Sequence, residues 1–415
     1  MDHEDSSYRS LEILILCVAA TFVVWGTYAR PVGEPALSRL ATVYSLTEYG
    51  SFCLDPPPGA PSNPFGATID KVMVRGRAAG NGVVEGVMIS SKPPLMPLVM
   101  TAEYVVLNKL FGWDLDDEAD CEPIVRLMTL SLVGAAYLTA LWLFSKTLGV
   151  LGCRGPSRAV LVASLAFGTQ LWGFSTLLNN HVPAACMVVA SVYLALGLGG
   201  GALAPKPWRF LLFGLCAGLV PTVDMPAGVF PFLAAVYLVA RFPKQMLSWG
   251  VLGAAVPLGL HAGVMIAVTG SPLPVQVRHE TYLYETAYWR HPMGIDGLSE
   301  PKSTYLFHMT FGRCGLFSLY PVLLAGVAGA VRAAFRRSSP WRGAILAGAL
   351  GFAVLTFYYA TSTNNYGGEC YGFRWYIATM PVLLLMGAPL VDSLRMRWQW
   401  VFLGFMIGIS CYSAW

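Results

Sequence analysis

Apolar residues run along this chain in long blocks, and the polar residues gather between them. A helix needs roughly 20 apolar residues to cross the hydrocarbon core of a bilayer. Windows of that kind predict eleven spans, at 11–29, 127–145, 159–177, 182–200, 209–223, 226–240, 246–268, 315–334, 343–361, 375–391 and 398–415. The pair 209–223 and 226–240 is short, interrupted by Pro221, Asp224 and Pro226. One further stretch, 93–110, is ambiguous, because it carries Pro93, Pro94, Pro97, Glu103 and Lys109. The leader 1–10 is acidic and the first apolar run is longer than a signal-peptide core, so a retained signal anchor is expected. The last span runs to Trp415, and no soluble C-terminal domain is expected.

Charge settles the ambiguous stretch. Cytoplasmic loops collect Lys and Arg, and short loops carry that signal. If 93–110 does not cross, residues 30–122 form one long loop on a single side. The short connections on the opposite side then hold Lys146, Arg154 and Arg158, Lys206 and Arg209, Arg241 and Lys244. They continue with Arg332, Arg336, Arg337 and Arg342, then Arg395 and Arg397. These thirteen basic residues face a single acid, Asp392. The short connections on the other side, 178–181, 224–225 and 362–374, carry one basic residue, Arg374. A crossing at 93–110 would invert every later loop. The stretch is therefore read as a juxtamembrane or re-entrant helix, whose backbone protein must cover. The expectation is an all-α polytopic membrane protein with about 11 transmembrane helices, a single membrane domain over 1–415 with its N-terminus in the cytoplasm. Two large outer loops follow, 30–122 with juxtamembrane helices and 270–314.

Composition agrees. Of 415 residues, 55% are hydrophobic and 12% charged, and the mean hydropathy is +0.57. Soluble domains carry about a quarter charged residues, so an ordinary soluble enzyme is excluded. No basic run or nucleic-acid motif is present, and nucleic acid is set aside as a partner. The net charge of +4 hides a polarised molecule. With the topology above, 14 of the 27 basic residues lie on the cytoplasmic side and 18 of the 23 acids on the outer side. Nine cysteines show no CxxC spacing. A Cys53–Cys121 bridge across the first loop stays open, with unpaired small hydrophobes as the leading expectation.

The unusual polar residues collect on the outer side. Residues 36–49 place Leu37, Leu40, Ala41 and Tyr44 at helical spacing, with Arg39, Ser45 and Glu48 elsewhere on the wheel. That is the pattern of a helix lying on a membrane surface. The loop 270–314 holds Arg278, His279 and Glu280 among other ionisable residues, and short turns add Asn179, Asn180, His181 and Asp224. Within the spans the main ionisable residues are Glu12 and His261. A transporter would place such groups near mid-membrane. Polar chemistry gathered above one face suits a lipid-linked substrate processed at that interface.

Specific strings go further. Ser91-Lys92-Pro93-Pro94-Leu95 resembles the Lys/His-Pro-Pro-Leu element of the GT-C membrane glycosyltransferases, the group of protein O-mannosyltransferases and aminoarabinose transferases. Tyr366-Gly367-Gly368-Glu369-Cys370-Tyr371-Gly372-Phe373-Arg374 resembles the Gly-Gly-x-x-Tyr-Gly-x-Arg-Tyr element of their bacterial members. Between these lie Asn180-His181-Val182, Thr222-Val223-Asp224-Met225-Pro226, Gly270-Ser271-Pro272-Leu273 and the stretch from Gly315 to Pro321, which resemble further landmarks in the same order. The resemblance covers about 340 residues. It implies an integral protein of the bacterial cytoplasmic membrane, acting on its outer face. The implied reaction is metal-independent, inverting transfer of a hexosyl or pentosyl group. The donor is a polyprenyl-phosphate sugar, the acceptor a lipid, glycan or protein, and the product a cell-envelope glycan.

That reaction needs a carboxylate to take the acceptor proton or to stabilise positive charge on the sugar. It also needs cations to hold the phosphate leaving group. The family's acid at the start of the first surface helix is missing from Ala36-Leu37-Ser38-Arg39. The candidate base is Asp70, in Thr68-Ile69-Asp70-Lys71, with Glu34 and Glu48 as alternatives. Arg374 and Lys92 are the candidate phosphate holders, by a planar fork and a compact charge respectively. Glu369, Tyr371, Asp224, His181 and Arg278 are further candidates for substrate contacts. The run 114–122 packs six acids into nine residues. A solvated acidic turn is the favoured reading there, and a divalent cation at Asp114 and Asp116 the disfavoured one. No cofactor is expected. The competing readings are a glycan polymerase or ligase of similar fold, a lipid or solute transporter, and a non-catalytic membrane protein.

Overall fold

The computed structural model describes residues 3–77, 83–336 and 339–415. Among the described residues, six helices are long and apolar enough to cross a membrane: α1 (from Tyr8–Gly26 within His3–Gly26), α4 (Glu118–Val150), α7 (His181–Gly199), α10 (Pro243–Thr269), α13 (Arg342–Ser362) and α14 (Arg374–Val391). Four shorter apolar helices are α5 (Gly155–Phe167), α8 (Pro207–Val223), α9 (Met225–Arg241) and α12 (Pro321–Phe335). With α15 (Arg397–Ala414), they occupy the eleven expected segments. Two boundaries differ from expectation. The segment 159–177 ends at Phe167 and resumes as α6 (Gln170–Phe174), and the segment 315–334 starts at Pro321 after a short turn of helix.

Small residues let these helices touch backbone to backbone, which in a membrane replaces the missing hydrophobic drive. A Cβ on Gly214 of α8 would stand 2.0 Å from the Gly250 carbonyl oxygen of α10. At one end of the bundle, Glu12 of α1 pairs with Arg158 of α5 at 3.0 Å and accepts from the Ser145 hydroxyl of α4 at 2.6 Å. One buried carboxylate therefore ties three helices.

The long segment between α1 and α4 is not purely helical. After α2 (Glu34–Glu48) the chain forms an antiparallel hairpin, β1 (Lys71–Arg77) and β2 (Val83–Ser90), before α3 (Leu95–Phe111). Val72 and Val74 pair with Ile89 and Val87, and this face packs with Met265 and Val275. Its opposite face carries Lys71, Met73 and Met88. Pro93 and Pro94 stop the strand ladder and start α3, since proline offers no N–H to the ladder yet suits a helix start.

The surface-helix reading of 36–49 is corrected. In α2, Ala36 and the run from Ser38 to Ser45 are all buried. The helix packs against α3, and Asn63 donates to the Ala41 carbonyl at 2.8 Å and to Ser45 Oγ at 3.0 Å. Protein covers the face that the wheel assigned to solvent. All nine cysteines are free thiols, Cys53 and Cys121 included.

Gly214→Ala is expected to lower the melting temperature in detergent, because its new methyl meets backbone; overpacking of this kind costs about 1–3 kcal/mol. Gly259→Ala on α10, with nothing within 4 Å, serves as the matched control and should be neutral. Equal effects would refute this close packing of α8 on α10.

Candidate active site

The hairpin base assembles the centre. Asp70 precedes β1 and Ser91-Lys92 follow β2, so the ladder continues through Ser91 N–H donating to the Asp70 carbonyl at 3.0 Å. The Lys92 ammonium then lies 2.7 Å from Asp70 Oδ2. The side chains are 21% and 6% exposed. Ser38 of α2 donates to the same Asp70 carbonyl at 2.6 Å and meets Ser90 Oγ at 2.6 Å, docking the helix on the hairpin. Glu34 Oε2 accepts from Thr68 Oγ1 and the Ile69 N–H, each at 2.8 Å. Glu34 thus holds the turn that delivers Asp70, one step back from the centre.

Arg39, one turn along α2, is 1% exposed. It donates to the Pro35 carbonyl at 2.8 Å and to Asn180 Oδ1 at 2.7 Å, while its Nε is buried without a partner. Asn180 in turn donates to the Val223 carbonyl at 3.0 Å, linking α2 to the end of α8. The next residue there, Asp224, meets His181 Nδ1 at 2.8 Å. With a carboxylate as acceptor, Nδ1 carries the proton and Nε2 is left as an acceptor.

Arg374 comes from the far end of the chain. The loop before it is pinned by Tyr366 donating to Glu300 at 2.7 Å and by Tyr305 donating to the Asn365 carbonyl at 2.7 Å. Gly367 and Gly368 lie at φ of 88° and 82°, in the left-handed region open to glycine. A Cβ on Gly367 would stand 3.1 Å from Arg374 Cγ, so the bare backbone is what lets the loop fold over the arginine. Arg374 Nε is buried with no partner.

Electrostatics shows these groups act on one another. Burial brings the Arg39 guanidinium down to about 10, with Asp70 and Asp224 opposing and Arg374 adding to the fall. Burial also lowers Lys92 below an ordinary lysine, opposed by Asp70 and reinforced by Arg39 and Arg374. Burial and the neighbouring Asp70 raise the Tyr282 hydroxyl. Three cations and two carboxylates therefore lie within electrostatic range of one another, and the Nε atoms of Arg39 and Arg374 are left over. That is the electrostatics of an anion site beside a carboxylate.

The remaining candidates separate. Asp70, Lys92, Arg374, Asp224 and His181 are brought together. Glu48 is exposed and close to Tyr44 and Tyr49 instead. Glu369 is exposed, and Tyr371 is 61% exposed, with its carbonyl accepting from Gln170. Arg278 pairs with Glu280 at 3.0 Å, and its Nη1 is buried without a partner. Its loop does reach the hairpin base, where Gln276 donates to the Ser91 carbonyl at 2.6 Å. In the acidic run, Asp116 accepts from Tyr44, Asp114 from the Asp116 N–H, and Asp117 caps α4. Among the described residues, no three His, Cys, Asp or Glu groups gather as metal ligands. Arg39 is the site residue that sequence reasoning missed.

The whole architecture has solved counterparts. ArnT from Cupriavidus metallidurans in the apo state aligns at TM-score 0.56 and 14% identity, over 94% of this chain and 61% of that one. The same protein bound to undecaprenyl phosphate gives 0.55 and 13%, over 95% and 62%. The apo Archaeoglobus fulgidus oligosaccharyltransferase gives 0.53 and 10%, over 98% and 56%. This chain shares the fold of these proteins, as the resemblance to the GT-C enzymes implied. It spans about three fifths of the length of those proteins. No family model and no curated protein matches it. Within the GT-C frame, the cluster lies where the first long loop meets the ends of α7, α8 and α14.

Lys92→Met strands a buried carboxylate, a change that typically costs about 3–5 kcal/mol. The double variant Asp70→Asn/Lys92→Met should recover most of the lost melting temperature. Additive losses would show that the pair is not what holds the hairpin base.

Proposed function

We propose that this protein transfers a sugar from a polyprenyl-phosphate donor to an acceptor at the outer interface of a bacterial cytoplasmic membrane, with its N-terminus in the cytoplasm. The observation that carries the reading is the buried Asp70–Lys92 pair beside Arg39 and Arg374, whose Nε atoms are buried without partners. An anion completes that set. The undecaprenyl phosphate held by the ArnT structure supplies a phosphate of the fitting class. The asymmetric distribution of Lys and Arg supports the orientation.

In the proposed reaction an acceptor hydroxyl attacks the anomeric carbon, and the bond from that carbon to the phosphate oxygen breaks. Asp70 receives the acceptor proton or faces the positive charge growing on the sugar. Negative charge develops on the departing phosphate, where Lys92, Arg374 and Arg39 are fixed in advance. Fixed charges need no reorganisation during the step, which is why buried, pre-held cations are effective there. Asp224 with His181 offers hydrogen-bonding groups to the sugar or the acceptor. Glu34 keeps Asp70 in place through the Thr68–Ile69 turn.

Two variants separate the roles. Asp70→Asn should abolish sugar transfer, followed as release of undecaprenyl phosphate from lipid-linked sugars, while undecaprenyl phosphate still binds. Arg374→Gln should weaken that binding about tenfold to a hundredfold, the range for a hydrogen bond to a charged group. Full activity in Asp70→Asn, or unchanged binding in Arg374→Gln, would refute the assignment.

The lowered Lys92 sets a pH limit. Phosphate binding needs the protonated ammonium, so affinity holds below its pKa and falls as pH rises through it, earlier than for an exposed lysine. Lys92→Arg should extend binding to higher pH. A binding profile that is the same in both proteins would remove Lys92 from phosphate contact.

A further inference from the structure

A cavity edged by arginines lies at the end of the bundle opposite the candidate site. It measures about 190 Å³ and is bounded by Arg332, Arg336 and Ser339, with Met386, Pro389 and Leu390 behind them. Arg374 starts α14 and Met386 to Leu390 finish it, so cavity and active site sit at opposite ends of one helix. The neighbouring α13 has 21 residues, which separates its two ends by roughly 31 Å at 1.5 Å per residue.

The cavity is cationic and short of acids. Among the described residues, neither Arg332 nor Arg336 pairs with a carboxylate. Arg332 donates to the Ser393 hydroxyl. The adjacent Asp392 is engaged elsewhere, accepting from the Arg154 N–H at 2.8 Å. Arg342 donates to the Ala333 carbonyl at 2.9 Å and so clamps the start of α13 to the end of α12. The first turn of α13 has no side-chain cap, and its N–H groups add positive potential beside Ser339 and Ile345. A cavity this size holds several waters or one phosphodiester group.

A second, apolar cavity of about 110 Å³ shares two walls with the first, Ile345 and Met386. It continues between Phe230, Leu233 and Val382, with apolar side chains almost throughout. The charged chamber and the greasy one lie side by side, with Ile345 and Met386 lining both, an arrangement that matches the two parts of an amphiphile. We infer that the pair binds one anionic glycerophospholipid, with its phosphodiester headgroup at Arg332 and Arg336 and an acyl chain beyond Ile345 and Met386. The site is separate from the catalytic cluster and takes lipid as a structural ligand. Basic pockets between membrane helices hold anionic headgroups in this manner.

The test uses the full-length protein in detergent. Dioleoylphosphatidylglycerol should raise the melting temperature and remain bound as one molecule in native mass spectrometry, while dioleoylphosphatidylcholine should do neither. Arg336→Gln should weaken phosphatidylglycerol retention about fivefold, the effect of one basic residue near an anionic lipid surface. Arg336 is exposed, and its side chain bonds to no described residue, so this variant should fold normally. Ile345→Trp, which fills the shared wall, should reduce retention without removing a charge. Equal retention of phosphatidylcholine, or unchanged retention in both variants, would overturn the inference. An equal melting shift with inorganic phosphate alone would also overturn it, by showing a site for a free anion rather than a lipid.

Discussion

The contact between Asp70 and Lys92 is the constraint around which the rest of this molecule is arranged. Taking two charges out of water is expensive, and their attraction offsets the loss only when geometry is close and other hydrogen bonds complete it. Here the separation is 2.7 Å and the carboxylate is nearly closed off from solvent. The backbone around Asp70 is held at the same time by Ser38, Thr68 and Ser91. The two residues stand far apart in sequence, and only a hairpin returns the chain to its starting point so directly. The strand pairing, the serine contacts to α2 and the proline pair that opens α3 all serve that return.

Two buried ion pairs in this protein make an instructive contrast. Glu12 and Arg158 tie α1 to α5, with Ser145 bonded to both, and neither residue has an orphaned atom. That arrangement is finished, and it reads as structure. The Asp70 cluster is unfinished: it joins extra cations and leaves the Nε atoms of Arg39 and Arg374 buried without partners. An unsatisfied buried donor costs about 1–3 kcal/mol, so a fold retains it where something else completes it. The same chemistry therefore serves stability at one end of the bundle and leaves donors unpaired at the other.

The apolar helices are legible in the sequence because hydropathy acts over whole segments, where single errors average out. The proline-interrupted pair 209–223 and 226–240 was placed correctly for that reason. The hairpin was not expected, although Val72, Val74, Val87 and Ile89 alternate as a half-buried strand requires. A loop between membrane spans biased the reading toward helices. Arg39 escaped for a different reason. A helical wheel assigns charge to solvent by default, whereas the covering layer of α3 and the hairpin is a tertiary fact that no wheel contains. Short strings single out Asp70, Lys92, Asp224, His181 and Arg374 as candidates, whereas their meeting rests on the tertiary fold.

Density of charge and incompleteness of pairing pick out different places in this fold. The most acidic stretch, 114–122, spends its carboxylates on local work. Asp117 caps α4, Asp120 accepts from the Asp114 N–H, and Asp116 anchors Tyr44 of α2. Each of those bonds is local or structural. The candidate centre has fewer charges but leaves donors free at the point where the first loop, the α7 and α8 ends and the Arg374 loop converge. Four separate elements must be in place before those donors face one another, so the site exists only in the assembled fold. This explains why Gly367 and Gly368, which carry no functional group, belong to its design: their backbone lets the last cation close over the others.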